Sequence, residues 1–157
     1  MNDLIYKDEV FKLVGFCMEI HRELGKGHDE VIYKDALVVE LQRGSIPFSR
    51  ERKYEVTCKG VVLPHFYYAD FVIWDKILFE AKACERLTDA HVKQVLNYLA
   101  ASKLQLGLLV NFGADSLEWK RVVLSRSQLG QLGAPKIIRA NSRNSRLLFV
   151  SNLVVRA

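Results

Sequence analysis

The sequence is short of cysteine and proline, and it has no long apolar run. Of its 157 residues, three are cysteines and three are prolines. Cys17, Cys58 and Cys84 are odd in number and form no C-x-x-C pair, which excludes a disulfide scaffold and argues against zinc held by thiolates. The richest apolar stretch, 106–112, is much shorter than the roughly 18 residues of a membrane span, and the N-terminal residues lack a signal-peptide pattern. We therefore expect a globular, cytoplasmic protein with reduced thiols and no membrane contact.

Acidic residues are missing from the C-terminal part of the chain. The formal net charge is +5, from 23 basic and 18 acidic residues. From Arg126 onward there are six basic residues and no acid, which leaves 17 of the 23 basic residues, all 18 acids and a net charge of −1 before it. We therefore expect one domain over 1–127 and a basic C-terminal extension over 128–157. The extension either supplies phosphate contacts or is solvated.

The spacing of apolar residues predicts two helices before the first strand. The first runs from about Asp3 to Leu24 and ends at Gly25-Lys26-Gly27, where two glycines suit a helix C-cap. The second runs from Asp29, a residue suited to the N-cap, to about Arg43. The apolar face of the first helix is predicted to consist of Val10, Phe11, Val14, Met18 and Leu24.

A change to a period of two predicts strands from Tyr54 onward. They are joined by a turn at Lys59-Gly60 and by a short loop near Asp75-Lys76, so we expect an antiparallel meander. The predicted strands are Tyr54 to Cys58, Val61 to Leu63, Tyr67 to Trp74 and Ile77 to Ala83.

One more helix separates the meander from the last strands. Thr88 opens a helix that runs to about Ser102, and strands follow at Leu106 to Phe112 and Glu118 to Leu124. The helix is long enough for a parallel crossover, so the pattern predicts an α/β fold with a mixed central sheet flanked by helices. In the tail, Leu147 to Val155 predicts one further apolar strand, which could join the sheet of its own chain or, in a homo-oligomer, that of a neighbour.

Asp70, Glu80 and Lys82 are the residues that point to chemistry. Glu80 and Lys82 are two apart on one predicted strand, so both side chains leave the same face. Asp70 lies on the preceding strand, and its position depends on the connecting loop. A loop of odd length, such as Trp74 to Lys76, puts Asp70 opposite Glu80, whereas a two-residue loop at Asp75-Lys76 turns Asp70 to the other face.

Two carboxylates in contact among apolar residues repel each other unless a divalent cation lies between them. Hard oxygen ligands favour Mg²⁺ or Mn²⁺ over zinc. A lysine beside such a cation suits phosphodiester hydrolysis, because the cation activates water and the ammonium orients the nucleophile or stabilises the phosphate. The alternative is an exposed Glu80-Ala81-Lys82 segment on an edge strand, with Asp70 at a strand end.

Two further groups could belong to the same site. Gln94 and Tyr98 are four apart and share a helix face, with His91 one turn earlier. Alternatively, Tyr98 is a half-buried core aromatic and His91 is a solvated helix residue. For His91 we favour this alternative. Glu30 could approach the cation from the other side, or it could be an ordinary first-turn acid favoured by the helix dipole.

These residues follow one another in a familiar order. Gly27 to Tyr33 reads G-x-x-E-x-x-Y, and Asp70, Glu80-Ala81-Lys82 and a Q-x-x-x-Y pair at 94–98 follow it. Together with LGLLVNFG over 106–113, the set resembles the GxxExxY family of the PD-(D/E)XK nuclease superfamily, across roughly residues 5–125. The resemblance implies a restriction-endonuclease-like αβββαβ core and a Mg²⁺-dependent nuclease site similar to that of RecB-like exonucleases.

The resemblance also implies a role for each matching residue. Glu30, Asp70 and Glu80 would hold Mg²⁺ or Mn²⁺. The catalytic residues would be these three acids together with Lys82 as the catalytic lysine and the supporting pair Gln94 and Tyr98. The residue before Asp70 is Ala69 where the superfamily pattern has proline, a departure that the superfamily tolerates.

The expected function is a metal-dependent nuclease, and DNA is the expected substrate. Phosphate contacts normally come from Lys and Arg. The candidates for such a strip are Arg50, Arg52, Lys53, Lys59, Lys103, Lys120 and Arg121. The alternative is a non-catalytic module on the same fold that binds nucleic acid or a protein partner, in which Asp70, Glu80 and Lys82 form a salt-bridged cluster.

Overall fold

A computed structural model describes residues 4–124 and two strands in the tail. The first part contains α1 (Lys7–Leu24), α2 (Glu30–Arg43), β1 (Phe48–Cys58), β2 (Val61–Ile73), β3 (Ile77–Lys82), α3 (Asp89–Ser102), β4 (Leu106–Asn111) and β5 (Glu118–Leu124). The tail contains β6 (Leu147–Val150) and β7 (Leu153–Arg156). Among the helices of this described part, none is long and apolar enough to cross a bilayer.

The strands form one mixed sheet in the order β1-β2-β3-β4-β5-β7-β6. β3 and β4 pair in parallel, and the connection between them is α3, which is the predicted crossover. The neighbouring pairs β1–β2, β2–β3 and β4–β5 are antiparallel. The predicted α/β class with a mixed sheet flanked by helices is therefore confirmed.

Two apolar clusters hold the helices against opposite faces of the sheet. In one cluster, Leu13 and Cys17 of α1 and Leu37 of α2 pack against strand residues such as Phe79. In the other, Val95 and Leu99 of α3 pack against Leu78, Leu109 and Val122. The sheet thus has helices on both faces, which is why almost every residue of the central strands β3 and β4 is buried.

The buried face of α1 differs from the prediction. Phe11 and Met18 are 81% and 52% exposed, while Leu13, Cys17 and Ile20 are buried beside Val10 and Val14. Both sets repeat at helical spacing, and the contacts with α2 and the sheet decide which of them is covered.

The first two strands are longer than predicted. β1 begins at Phe48 instead of Tyr54, because its polar first half pairs with the buried end of β2. β2 runs unbroken through Pro64, since the register changes between Glu55↔Phe66 and Thr57↔Val62 and leaves three β2 residues opposite Val56. A bulge of this kind accommodates a residue that has no N–H to donate.

The starts of α2 and α3 are where the sequence placed them, whereas α1 begins at Lys7 instead of at about Asp3. The capping of α2 and α3 differs from the expectation. Asp29 occupies the N-cap of α2 without a capping hydrogen bond from its side chain. Thr88 caps α3 in a reciprocal pair with His91, whose Nδ1 accepts the Thr88 N–H at 3.1 Å. His91 is therefore a capping residue and not the purely solvated residue that was favoured.

The apolar tail segment forms two strands instead of one. β7 pairs antiparallel with β5 of the same chain, and β6 pairs with the other side of β7. Of the two predicted alternatives, the structure therefore shows the tail joining its own sheet. The rest of the predicted extension over 128–157 lies outside the described residues.

Candidate active site

The loop between β2 and β3 sets the position of Asp70. The loop has three residues, Trp74 to Lys76, and it aligns Ile73 with Ile77 and Phe71 with Phe79. Trp74 and Asp75 both have left-handed backbones, with φ of 54° and 52°. This odd loop is the alternative that places Asp70 opposite Glu80.

Asp70 is tied to the neighbouring strand through its side chain. Its Oδ2 accepts the backbone N–H of Ala81 at 2.9 Å, and the residue is 8% exposed. The backbone pairing of β2 with β3 ends at Phe71↔Phe79, one position earlier. The Asp70 carboxylate therefore contacts the strand segment that carries Glu80 and Lys82.

Glu80, which is buried, forms an ion pair with the partly buried Lys82. Lys82 Nζ donates to Glu80 Oε1 at 2.9 Å, and the two side chains are 13% and 4% exposed respectively. The other oxygen, Glu80 Oε2, is buried without a hydrogen-bond partner. Burial, with a further contribution from the Asp70 charge, raises the pKa of Glu80 to about 7.

The charge of Lys82 is maintained by the acids around it. Burial alone lowers the pKa of Lys82, but the negative charges of Glu80, Glu30 and Asp70 outweigh burial and raise it. Lys82 is therefore an ammonium group near neutral pH, within electrostatic reach of all three predicted metal ligands.

Lys34 is a site residue that the sequence analysis missed. Its Nζ lies 2.5 Å from Asp70 Oδ1 and 2.8 Å from Glu30 Oε1, and its side chain is 17% exposed. Burial lowers the pKa of Lys34, but the hydrogen bonds and charges of Asp70 and Glu30 raise it overall. The only signal in the sequence was the four-residue spacing between Glu30 and Lys34, which is common on exposed helix surfaces. The structure thus brings Glu30 and Asp70 together through a lysine.

Gln94 and Tyr98 form a hydrogen-bonded pair beside these groups. Gln94 Nε2 donates to the Tyr98 hydroxyl oxygen at 2.8 Å, and the Tyr98 ring packs against Tyr67 at 5.2 Å between centroids. Burial raises the pKa of Tyr98, and the charges of Glu80 and Asp70 raise it further, so the hydroxyl keeps its proton. Tyr98 is therefore both a core aromatic and a neighbour of the carboxylates.

Tyr33 explains the spacing of the G-x-x-E-x-x-Y motif. Its hydroxyl donates to the carbonyl of Gly25 at 2.7 Å, and its ring stacks on Phe112 at 4.8 Å. Gly25 and Gly27 have φ of 68° and 101°, values that favour glycine. Tyr33 is fully buried and fixes the turn that leads into Glu30.

Asn111 is a second residue that the sequence analysis did not single out. Its Oδ1 accepts the backbone N–H groups of Cys84 and Gly113, both at 3.0 Å, and its Nδ2 donates to the Cys84 carbonyl at 2.9 Å. Its Nδ2 also donates to Glu118, which accepts the Leu87 N–H. The fully buried amide thereby holds the loop that follows Lys82. A polar residue inside the apolar stretch over 106–112 was the available signal.

The comparison with known families follows the same chain order. The sequence model of the PD-(D/E)XK nuclease superfamily matches residues 7–122. The chain belongs to the PD-(D/E)XK nuclease superfamily. The match extends over α1 to β5, supports a restriction-endonuclease-like fold, and spans all six predicted site residues. Comparisons with curated proteins and with solved structures gave no match to the chain.

PD-(D/E)XK nucleases generally use divalent metal ions, and the residues of this site fit such an ion. The predicted donors are all carboxylate oxygens, which hard cations prefer, and Glu80 Oε2 is a buried acceptor without a partner. Within the described residues, however, no three acidic, histidine or cysteine side chains are already arranged around one point. The ammonium of Lys34 contacts both Glu30 and Asp70.

The predicted basic strip is smaller in the structure. Arg121 is buried and donates to the backbone carbonyl of Ile5, so it is not available for phosphate. Arg50 and Arg52 are paired with Asp35 and Asp75. Arg121 belongs to the structural core because β5 presents it towards the start of α1, a contact that the sequence pattern did not reveal.

Proposed function

We propose that this protein is a divalent-metal-dependent nuclease of the GxxExxY type, which hydrolyses phosphodiester bonds in DNA in the cytoplasm. The observation that carries the proposal is the buried Glu80 carboxylate opposite Asp70, with one oxygen paired to the partly buried Lys82 and the other oxygen unpartnered. Burying two charges together is costly, and a well-packed apolar pair would serve stability equally well. Chemistry is therefore the better reason for these residues. The unpaired cysteine thiols within residues 4–124 support the cytoplasmic setting.

Glu30, Asp70 and Glu80 are the residues that would hold Mg²⁺ or Mn²⁺. When bound, the ion would supply an activated water and positive charge for the phosphate group as it becomes more negative. Asp70 is held by the Ala81 N–H and Glu80 by Lys82, so two of the three ligands already have fixed positions.

Lys82 would act on the substrate directly. It is charged, partly buried and anchored by Glu80, so its remaining N–H groups can donate to an attacking water or to a phosphate oxygen. Tyr98 and Gln94 would support this arrangement, because a protonated tyrosine hydroxyl can donate to the same oxygen while Gln94 fixes its direction.

The test is cleavage of end-labelled linear and circular DNA and RNA, single- and double-stranded, by the full chain in Mg²⁺ or Mn²⁺. We expect DNA cleavage that is lost in EDTA and in Lys82→Ala. The matched control is Lys76→Ala, which removes an ion-paired lysine at the opposite end of β3 and should retain activity. Cleavage of RNA but not of DNA would contradict the proposed substrate, and equal activity of wild type and Lys82→Ala would contradict the mechanism.

A second candidate is a non-catalytic module on the same fold, and the Lys34 contacts favour it. With Lys34 between Glu30 and Asp70, and Lys82 on Glu80, the acids are neutralised without a metal ion. Thermal melts with and without Mn²⁺ separate the two functions. Binding at about 100 times the dissociation constant stabilises a protein by about 2.7 kcal/mol. A rise in melting temperature with Mn²⁺ that occurs in wild type but not in Asp70→Asn supports the nuclease. An unchanged melting temperature in both proteins supports the module.

A further inference from the structure

Lys34 is close enough to two of the proposed metal ligands to compete with a cation for them. Its Nζ lies 2.5 Å from Asp70 Oδ1 and 2.8 Å from Glu30 Oε1, so the ammonium bridges two of the three ligands in the proposed function. The other oxygen of Asp70, Oδ2, already accepts the Ala81 N–H at 2.9 Å, so Oδ1 is the oxygen that is held only by Lys34. A cation that binds Asp70 through Oδ1 therefore competes with Lys34 for that oxygen.

The two positive charges cannot share this position. An ammonium and a divalent cation that contact the same carboxylate oxygen lie a few ångströms apart, where like charges in a poorly solvated site repel strongly. Lys34 has a route of withdrawal, since its side chain is 17% exposed and sits on a flexible four-carbon stem. Glu30 and Asp70 belong to different elements, α2 and β2, so they can keep their positions when Lys34 leaves.

We propose that Lys34 is a built-in counter-ion that competes with the divalent cation for Asp70 and Glu30. Without metal, Lys34 neutralises the two acids and holds them together. On metal binding, its ammonium moves towards solvent. The inference rests on the proposed metal site, and it adds that the affinity for metal is set by a lysine that is not itself a ligand.

The test is a titration of the full chain with Mn²⁺ in the absence of substrate. Binding is measured from the electron paramagnetic resonance signal of the free Mn²⁺. Lys34→Met removes the charge and retains most of the side-chain volume, and Lys34→Arg retains the charge. Lys76→Met is the matched control, because Lys76 pairs with the single acid Glu9 at the other end of β3. We expect the dissociation constant to fall about tenfold in Lys34→Met, which is about 1.4 kcal/mol, and to change little in Lys34→Arg and Lys76→Met.

Each other outcome is informative. Equal affinity in wild type and Lys34→Met, or weaker binding in Lys34→Met, overturns the competition while the metal site stands. No Mn²⁺ binding to any of the proteins overturns both the competition and the proposed metal site. Lys34→Gln is measured in parallel, and far-ultraviolet circular dichroism establishes that each variant is folded, so a misfolded Lys34→Met would leave the test intact.

Discussion

In the metal-free protein, Glu80 should make the free energy of unfolding fall as the pH rises. The pKa of Glu80 is raised from 4.5 to about 7 in the folded state, by burial first and by the Asp70 charge second. The folded protein therefore binds a proton at Glu80 that the unfolded chain has already released between these values. Its contribution to stability is complete below 4.5 and is lost as the pH passes through about 7.

The size of the loss in unfolding free energy follows from the change in the pKa of Glu80. A change from 4.5 to about 7 corresponds to about 3 kcal/mol between the two limits of pH. Glu80 is only 3% exposed, so solvent screening should reduce this value little. Compared with a typical total stability of about 5–15 kcal/mol, the loss is large enough to measure.

The assay is urea unfolding in EDTA at several pH values from about pH 5 to about pH 8, for wild type and Glu80→Gln. Glutamine cannot titrate, so the plot of unfolding free energy against pH for Glu80→Gln should lack the Glu80 contribution. His91, whose pKa is lowered mainly by burial, gives an opposite trend, but both proteins contain it and the difference between them removes it. The Gln variant also leaves Lys82 without its partner, so the pH slopes are compared and not the absolute stabilities. Parallel slopes for the two proteins would refute the reasoning.

Three further predictions concern the elements that support the site. Tyr33→Phe should lower the free energy of unfolding by about 1 kcal/mol in urea, because the hydrogen bond to Gly25 is lost, and an unchanged value would contradict this role. Gly113→Ala should destabilise the protein by about 1–3 kcal/mol, since the added Cβ would lie 2.5 Å from the backbone N and O of Cys84. Wild-type stability of this variant in the same assay would show that the loop at Cys84 moves freely. A chain that ends at Ser127 should remain folded by circular dichroism, because the superfamily match ends at 122, and loss of its cooperative melt would show that β7 is needed to cover β5.

Much of the fold followed from local pattern. The helices α1 to α3 and the strands β3 and β4 were found because their apolar residues are dense and are bounded by glycine or capping residues, although the buried face of α1 was predicted wrongly. β1 was harder, since Ser49 to Lys53 is polar and forms a strand only because β2 pairs with it. Pairing partners far apart in the sequence cannot be identified from spacing alone.

The candidate site was predictable in its residue types but not in its contacts. Whether Asp70 lies opposite Glu80 depends on whether the loop between their strands has an odd number of residues, and the sequence allows both an odd and an even number. Lys34 and Asn111 act through tertiary contacts, with Asp70 across the fold and with the loop at Cys84. Hydrophobic periodicity does not indicate either contact. The spacing of Glu30 and Lys34 by itself is typical of an ordinary ion pair on a helix surface.

The end of the β2–β3 pairing has a consequence for how this sheet is used. In a regular ladder the Ala81 N–H would bond to a backbone carbonyl, but here a side chain from β2 takes its place. The two strands can therefore diverge without leaving a buried donor unsatisfied, which would otherwise cost stability. Asp70 thus also has a structural role, because its carboxylate completes the hydrogen bonding of β3 where the backbone pairing ends, next to Glu80 and Lys82.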